Sequence, residues 1–225
     1  MTPRLSIIVP VLDEAAGITA ALDALAPLRA RGAEIVVVDG GSSDATVVLS
    51  RPRADAVIDS PRGRARQMNA GAAVAQGGLL LFLHADTRLP PQADPLMQQA
   101  LERGADWGRF DVRIDGRPRM LRIVAAMMNL RSRLTGIATG DQAVFMRREL
   151  FARVGGFPVQ PLMEDIELSK RLRRHARPAC LRQTVITSGR RWEAHGVWRT
   201  IVLMWRLRWR YWRGTPAEVL AQWYR

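Results

Sequence analysis

The sequence predicts an α/β fold with a mainly parallel sheet, because short apolar runs alternate along the chain with segments of helical spacing. The chain has 225 residues and is 48% hydrophobic, which is enough for one domain with a sizeable core, or for one domain with a small appendage. The apolar runs are typical of buried strands. They predict strands at Leu5–Val9, Ile35–Val38, Ala56–Ile58 and Leu79–Leu83.

The segments between these runs predict helices. Ile18, Leu22 and Leu25 recur at helical spacing before Pro27. A polar, glycine-containing loop follows the second run and supplies a capping residue for a short helix. The predicted helices extend from Ile18 to Pro27, from Ser43 or Asp44 to about Ser50, and over Gly63–Ala75.

Composition excludes several classes of protein. Cys180 is the only cysteine, which excludes a disulfide framework or a zinc site built from cysteines and fits a reducing cytosol. No apolar run approaches the ~20 residues that span a bilayer. Residues 1–15 contain acids where a signal peptide would have its cleavage region, so we interpret them as part of the folded protein. We therefore expect a cytoplasmic protein, with peripheral attachment to the inner face of the membrane left open.

The basic charge is concentrated at the C-terminal end. The net charge is +13, and Lys170 is the only lysine. Residues 171–225 contain thirteen arginines against two glutamates, and six of the seven tryptophans follow residue 190. The pattern predicts a helix over Val197–Arg213 that is rich in tryptophan and arginine.

Three interpretations of this helix remain open. It packs on the domain or on a second copy in a homodimer, it lies on an anionic membrane surface, or it binds single-stranded nucleic acid. We rank packing or dimerisation first, the membrane surface second and nucleic acid last. Met120–Leu134 is a candidate apolar partner for this helix or part of an acceptor surface.

Polar residues follow three of the predicted strands. Asp13 and Glu14 follow the first, Asp39 the second, and His84 and Asp86 the fourth. Ligands of parallel α/β sheets bind beyond the carboxyl ends of the strands, so these residues predict a site there. The glycine-containing loop at Asp39 matches neither the dinucleotide fingerprint nor the P-loop.

An ordered set of segments covers about residues 4–175. The segments are Ser6–Pro10, Asp13-Glu14, Val36–Thr46, Gly63–Gly71, Leu83–Thr87, Gly140–Gln142 and Met163–Asp165. Together they resemble the family 2 glycosyltransferases. The small size and the His-Ala-Asp-Thr sequence at residues 84–87 are most similar to a compact bacterial subgroup of the arsenosugar-biosynthesis type.

This resemblance implies a GT-A fold, with a Rossmann-like, mainly parallel sheet flanked by helices and a helical basic C-terminal extension. It places the glycosyltransferase domain at residues 1–190 and the extension at 191–225. The implied reaction is an inverting transfer of a sugar from a nucleotide-diphosphate donor, with UDP favoured, to an unknown acceptor hydroxyl.

The resemblance also implies the residues that bind the donor. Glu14 resembles the acid that contacts the ribose, and Asp39 the acid that accepts a hydrogen bond from the base. Arg64, near the start of a helix, is the candidate diphosphate contact, with Arg66 second. The remaining nucleotide-binding candidates are Pro10, Val11, Gly40 and Ala85.

The implied cofactor is a divalent metal, Mn²⁺ or Mg²⁺. Asp86 resembles the last acid of the D-x-D metal motif, but His84 stands where the motif has its first aspartate. His195 is a second candidate ligand, with Arg190 or Arg191 as neighbouring diphosphate contacts.

The catalytic residues implied by the resemblance are Asp165 as general base and Glu164 as its neighbour. Gly140, Asp141 and Gln142 are placed on the acceptor side. A non-catalytic membrane-surface or nucleic-acid binding module, driven by the basic helix, is the alternative.

Overall fold

The structure is a computed structural model that describes residues 4–224. Within these residues, eight strands form one sheet in the order β3-β2-β1-β4-β7-β6-β8-β5. The strands are β1 (Leu5–Val11), β2 (Glu34–Asp39), β3 (Ala56–Asp59), β4 (Leu79–Phe82), β5 (Thr87–Arg88), β6 (Trp107–Asp115), β7 (Val144–Arg147) and β8 (Ala179–Ser188).

The helices lie between and after these strands. They are α1 (Ala15–Asp23), α2 (Ala26–Ala30), α3 (Thr46–Ser50), α4 (Arg64–Val74), α5 (Ala93–Glu102), α6 (Met120–Thr135), α7 (Arg148–Arg153), α8 (Glu164–Arg173), α9 (Arg190–His195), α10 (Val197–Trp212) and α11 (Ala217–Tyr224). Two short 3₁₀ helices cover Arg51–Arg53 and Gly140–Gln142.

The predicted α/β class is confirmed. β1 pairs in parallel with β2 and with β4, and β2 pairs in parallel with β3. The other half of the sheet is mixed, because β7 runs antiparallel to both β4 and β6, whereas β6 and β8 are parallel. The parallel half therefore brings the ends of β1, β2 and β4 to one edge.

Apolar side chains cover both faces of β1. Ile7 and Val9 point into one core layer and Ile8 into the other, where α4 packs across the sheet. Gly71 permits this close approach, since a Cβ at this position would lie 2.5 Å from Ile8 Cγ2 and 2.8 Å from Val38 Cγ2. The small residues of α4 thus set the distance between this helix and the sheet.

The mixed half of the sheet contains a buried charge network. Arg109 of β6 is fully buried and pairs with Asp111, whose other oxygen lies 2.5 Å from Arg133 of α6. Arg109 also donates to the carbonyl oxygen of Asn129. These contacts fasten α6 to β6.

The C-terminal helices pack on the segment that begins α8. Leu207 of α10 and Leu220 of α11 are fully buried against Met163 and Ile166. The hydroxyl of Tyr211 also lies 3.3 Å from a carboxylate oxygen of Glu167. The predicted division between residues 190 and 191 stays a prediction.

None of the helices within residues 4–224 combines the length and the apolar character needed to span a membrane.

Candidate active site

A cleft of about 1360 Å³ lies beyond the carboxyl ends of β1 and β4. Its walls are supplied by the ends of these strands, the start of α4, the loop around Gly140, the start of α8, and α6, α9 and α10. This is the edge at which ligands of open α/β sheets bind. Of the sequence-predicted site residues, the cleft is lined by Pro10, Val11, Glu14, Arg64, Ala85, Asp86, Gly140, Asp141, Glu164, Asp165 and His195.

Hydrogen bonds between two neighbouring loops position Glu14. Asp13 donates its backbone N–H to Ser42 Oγ at 2.9 Å and accepts from the backbone N–H of Ser43 at 2.8 Å. The backbone N–H of Glu14 donates to Thr46 Oγ1 at 2.8 Å. The loop after β1 is therefore held by the loop after β2.

Asp39 and Gly40 lie behind this edge and are not among the residues that line the cleft. Asp39 is buried, and its carboxylate accepts from the backbone N–H groups of Gly41 and Ser42 at 2.9 Å each. Gln67 donates to the carbonyl oxygens of Val11 and Val38 at 2.8 and 2.9 Å. These bonds join the ends of β1 and β2, and the predicted contact of Asp39 with a base stays a prediction.

Arg64 is the first residue of α4 and extends into the cleft. Gly63 precedes it with a φ of 137°, a conformation that favours glycine. The walls of the cleft remove water from Arg64, which would lower its pKa. Electrostatic interactions with Tyr224 and with the carboxyl groups of Glu164, Asp141 and Asp165 outweigh this and raise the pKa. Arg64 is thus a fixed positive charge among acids.

Arg190 of α9 connects two of the strand ends. Its guanidinium lies 3.4 Å from Glu14 Oε2 and 4.0 Å from Asp86 Oδ2. The three side chains come from distant parts of the sequence, so the fold assembles this group.

His84 and Asp141 face each other, with 3.5 Å between Nδ1 and Oδ1. Gly140 makes this possible, because a Cβ on it would clash with the His84 ring. Burial opposes ionisation of Asp141, but the hydrogen bond from His84, its charge, and the charges of Arg64 and Arg131 lower the pKa of Asp141 below its ordinary value.

Glu164 and Asp165 begin α8. Asp165 Oδ2 accepts from the backbone N–H of Gly140 at 3.0 Å, and Oδ1 accepts from the backbone N–H of Ile166 at 2.7 Å. Burial raises the pKa of Asp165, although these two donors favour its ionised form. Burial and the neighbouring Asp165 also raise the pKa of Glu164. The pair therefore holds protons more tightly than free carboxylates do.

Gln142 does not line the cleft, although the sequence places it on the acceptor side. It is fully buried, and its side chain accepts from the backbone N–H of Thr139 at 3.2 Å. With Thr139 it caps the 3₁₀ helix Gly140–Gln142. Of the three acceptor-side candidates, the structure therefore brings only Gly140 and Asp141 into the cleft.

Backbone strain is concentrated beside these motifs. The non-glycine residues with positive φ in the part of the chain that the structure describes are Asp13 at 52°, Ala143 at 47° and Met163 at 65°. Each is adjacent to a site segment: Glu14, the Gly140–Gln142 turn, and Glu164. Such strain persists where the surrounding structure fixes it, and it is common at functional sites.

Sequence reasoning did not find Arg131 of α6. Its Nε and Nη2 are buried without a hydrogen-bond partner within residues 4–224, and the side chain lines the cleft. Burial lowers the pKa of Arg131, as does the charge of Arg109, whereas Asp165 and Asp141 act in the opposite direction. In the sequence Arg131 is one arginine among many, so nothing there distinguishes it.

The cleft offers few side chains that could act as ligands of a metal ion. Across residues 4–224, no group of three or more His, Cys, Asp or Glu side chains is placed to hold a metal. Asp86 offers one carboxylate to the cleft, and His195 is exposed at the rim without joining it in such a group. One carboxylate suits a Mg²⁺ or Mn²⁺ ion that takes its remaining ligands from a diphosphate and water.

Three similarities to known proteins fit this geometry. A "PGL/p-HBAD biosynthesis glycosyltransferase" of Mycobacterium bovis (strain BCG / Pasteur 1173P2) is 39% identical over 105 residues, covering 44% of this chain and 41% of that protein. TarS 1–349 of S. aureus in complex with UDP-GlcNAc superposes with a TM-score of 0.64 at 21% identity, covering 82% of this chain and 58% of that one.

The third similarity is to the mannosyltransferase PcManGT of Pyrobaculum calidifontis in complex with GDP-Man and Mn²⁺. Its TM-score is 0.62 at 24% identity, and the match covers 83% of this chain and 57% of that one. The chain thus spans well under two thirds of the length of each of these proteins.

The fold is that of the GT-A class of glycosyltransferases. A sequence model of the glycosyl transferase family 2 matches residues 6–155, and the chain belongs to this family. The segment with Glu164 and Asp165 and the segment with Arg190 lie beyond the matched residues. The alternative of a non-catalytic binding module is not favoured.

Proposed function

We propose that the chain is an inverting glycosyltransferase that moves a sugar from a nucleoside-diphosphate donor to an acceptor hydroxyl. The observation that carries this proposal is one cleft lined both by a carboxylate suited to act as base, Asp165, and by the donor-side groups Glu14, Arg64 and Asp86. Family membership supports the transfer of a sugar.

The donor side is suited to a nucleoside diphosphate. A carboxylate such as Glu14 accepts hydrogen bonds from ribose hydroxyls. Arg64 combines a fixed charge with the N-terminus of α4, where backbone N–H groups attract a phosphate. Two proteins of similar fold are bound to nucleoside-diphosphate sugars, TarS to UDP-GlcNAc and PcManGT to GDP-Man, and of these two nucleotides we favour UDP.

Asp86 is the residue that would hold a divalent metal on the diphosphate. Such an ion would offset the negative charge that develops on the leaving group. Arg190, 4.0 Å from Asp86, is placed to take part of the same charge. Arg131, with two nitrogens lacking partners, supplies a further positive group for a phosphate or an anionic acceptor.

Asp165 serves as the general base in this proposal. It removes the proton from the acceptor hydroxyl as the oxygen forms a bond to the anomeric carbon. The bond from that carbon to the diphosphate oxygen breaks, and its electron pair leaves with the nucleoside diphosphate. Attack from the side opposite the leaving group inverts the anomeric configuration.

The test is thermal stabilisation by a panel of nucleoside diphosphates, with and without Mn²⁺ or Mg²⁺. A ligand that binds the native state raises the melting temperature. We expect a metal-dependent rise for one nucleotide, absent in Asp86→Ala and retained in Asp106→Ala. Asp106 is the control because it is a half-exposed acid paired with Arg147 and is absent from the cleft lining. If no nucleotide stabilises the folded wild type, the proposal is wrong.

A further inference from the structure

We propose that the exposed apolar stripes of α10 and α6 form a docking surface for an anionic membrane. This surface, here called the Trp/Arg face, consists of Trp198, Val202, Trp205, Trp209 and Trp212 of α10, with Ile123, Met127, Leu130 and Leu134 of α6. The inference concerns attachment of the protein to a membrane, and it does not depend on the proposed reaction.

The apolar stripe on α10 is exposed to solvent. Its five residues follow one another at intervals of four and three, so at 3.6 residues per turn they share one side of the helix. They are between 52% and 76% exposed, whereas Thr200 and Leu207 on the opposite side are buried. The packing of α10 on the domain therefore uses its other side and leaves the tryptophans uncovered.

A second apolar stripe borders the same cleft. The α6 residues of the Trp/Arg face are between 49% and 73% exposed, and the buried side of this helix carries Leu121, Ala125 and Ser132. Ile123 and Met127 line the cleft from α6, and Trp198 and Trp205 line it from α10. Residues of both stripes thus border one opening, and exposed apolar side chains grouped in this way mark an interaction site.

The charge of α10 selects an anionic partner. The helix and the residue that follows it contain five arginines and no acid: Arg199, Arg206, Arg208, Arg210 and Arg213. Within residues 4–224, none of the five forms an ion pair, since the described ion pairs lie elsewhere. Arg210 and Arg213 lie 5.6 and 5.4 Å from the ring centre of Trp209.

Tryptophan beside arginine matches the chemistry of a headgroup region. Indole rings favour the boundary between headgroups and acyl chains, and basic side chains are attracted to anionic lipids. The aliphatic residues of α6 fit the same boundary. They offer no aromatic rings on which the bases of a nucleic acid could stack.

A second copy of the chain fits less well. Intervals of four and three also occur in helix pairs, but such pairs place opposite charges beside the apolar seam. Here arginines alone flank the seam, so two α10 helices would bring like charges together.

The test is flotation of the full chain with phosphatidylcholine vesicles, with and without phosphatidylglycerol. We expect binding only when phosphatidylglycerol is present. Arg206→Gln with Arg210→Gln should weaken the partition about fivefold for each arginine, from ~1 kcal/mol per basic residue. Trp209→Ser with Trp212→Ser should weaken it by at least about tenfold, because two indoles leave the interface.

Matched controls change exposed basic and exposed apolar residues elsewhere on the protein. Arg103→Gln with Arg174→Gln removes two exposed arginines, and Val48→Ser with Val159→Ser removes two apolar residues that are 71% and 62% exposed. Neither control should change vesicle binding. Stabilisation by the donor nucleotide should be equal in all variants, which separates this inference from the proposed function.

If a variant is unstable, measurements on the wild type still test the inference. Brominated acyl chains in the vesicles should quench the tryptophan emission. The inference is wrong if the wild type fails to bind the anionic vesicles or if the variants bind them like the wild type. It is also wrong if light scattering shows a dimer that Trp209→Ser with Trp212→Ser dissociates, or if single-stranded RNA is retained and vesicles are not.

Discussion

The backbone N–H of Gly140 donates a hydrogen bond of 3.0 Å to Oδ2 of Asp165. The bond joins the turn that carries Asp141 to the first turn of α8. The other carboxylate oxygen, Oδ1, accepts from the backbone N–H of Ile166. Because both oxygens are held, the Asp165 carboxylate has a fixed orientation in the cleft. A base that is oriented before the substrate arrives loses little in reorganisation during the reaction.

Replacing Asp165 with asparagine should lower kcat by about 10²- to 10⁴-fold, the range usual for general bases. Nucleotide binding should remain, because the donor-side groups are unchanged. Product formation and calorimetric titration with the nucleoside diphosphate measure the two effects. Glu167→Gln, two residues further along α8, is the control and should keep its activity. A kcat within threefold (roughly) of the wild type would remove Asp165 from the role of base.

The pH dependence should reflect the environment of Asp165. Burial raises its pKa, so the base becomes protonated, and activity falls, at a higher pH than for an ordinary aspartate, whose pKa is about 3.9. The acid limb of kcat/KM against pH measures this value. Asp141→Asn removes a neighbouring negative charge and should move the limb to lower pH. A limb at the ordinary aspartate value in the wild type would contradict the prediction.

Gly140→Ala should disturb the site directly. The added Cβ would clash with the His84 ring, so either His84 or the turn must move. A displacement of about 1 Å can cost 10²-fold, and we expect kcat/KM to fall by about 10- to 100-fold. Gly78→Ala is the control because a Cβ there meets nothing within 4 Å. Equal activity of the two variants would show that the contact with His84 is unimportant.

Gly71→Ala should destabilise the fold by about 1–3 kcal/mol, because it overpacks the contact of α4 with Ile8 and Val38. Gly17→Ala in α1 has open space around its Cβ and should stabilise by about 0.4–1 kcal/mol. Unfolding in urea, followed by circular dichroism, measures both free energies. The prediction fails if Gly71→Ala is as stable as the wild type.

The sequence was sufficient for the parallel half of the fold. β1, β2 and β4 are continuous apolar runs because both of their faces are covered, and their predicted bounds differ from the observed ones by a few residues at most. β6 and β8 were not predicted. The sequence of β6 interrupts its apolar residues with arginine and aspartate, and the burial of Arg109 depends on Asp111 and α6. Pairing of this kind depends on tertiary contacts, and no local pattern in the sequence indicates it.

The candidate site was predictable where a motif stands at a strand or helix end. Asp86, Gly140, Asp141, Glu164 and Asp165 lie in one cleft because these ends meet there. The positions of other side chains depend on tertiary contacts that the spacing of residues in the sequence does not reveal. Asp39 bonds to its own loop and Gln142 is enclosed. Arg131 reaches the cleft from α6, a segment that the sequence offers as an apolar partner or as part of an acceptor surface without distinguishing this arginine.

The side of α10 that faces the domain was not predictable from its apolar stripe. An apolar stripe on an amphipathic helix predicts packing on the domain as the commonest outcome, and α10 does pack on it. It does so through Leu207 and its neighbours, and the tryptophans stay outside. Periodicity identifies an apolar side of a helix but does not say which partner covers it.

Because the tryptophans are unevenly placed, the intrinsic fluorescence of the chain reports on one part of the fold more than on the rest. Trp107 is fully buried in the sheet, whereas the other six lie in or beside the C-terminal helices and four of those in α10 are more than half exposed. Because the exposed indoles are already in contact with water, the change in emission on unfolding will come mainly from Trp107 and will follow the melting of the sheet. Fluorescence and circular dichroism curves that fail to coincide would report two separately melting regions of one molecule, and a single two-state fit to either signal would misstate its stability.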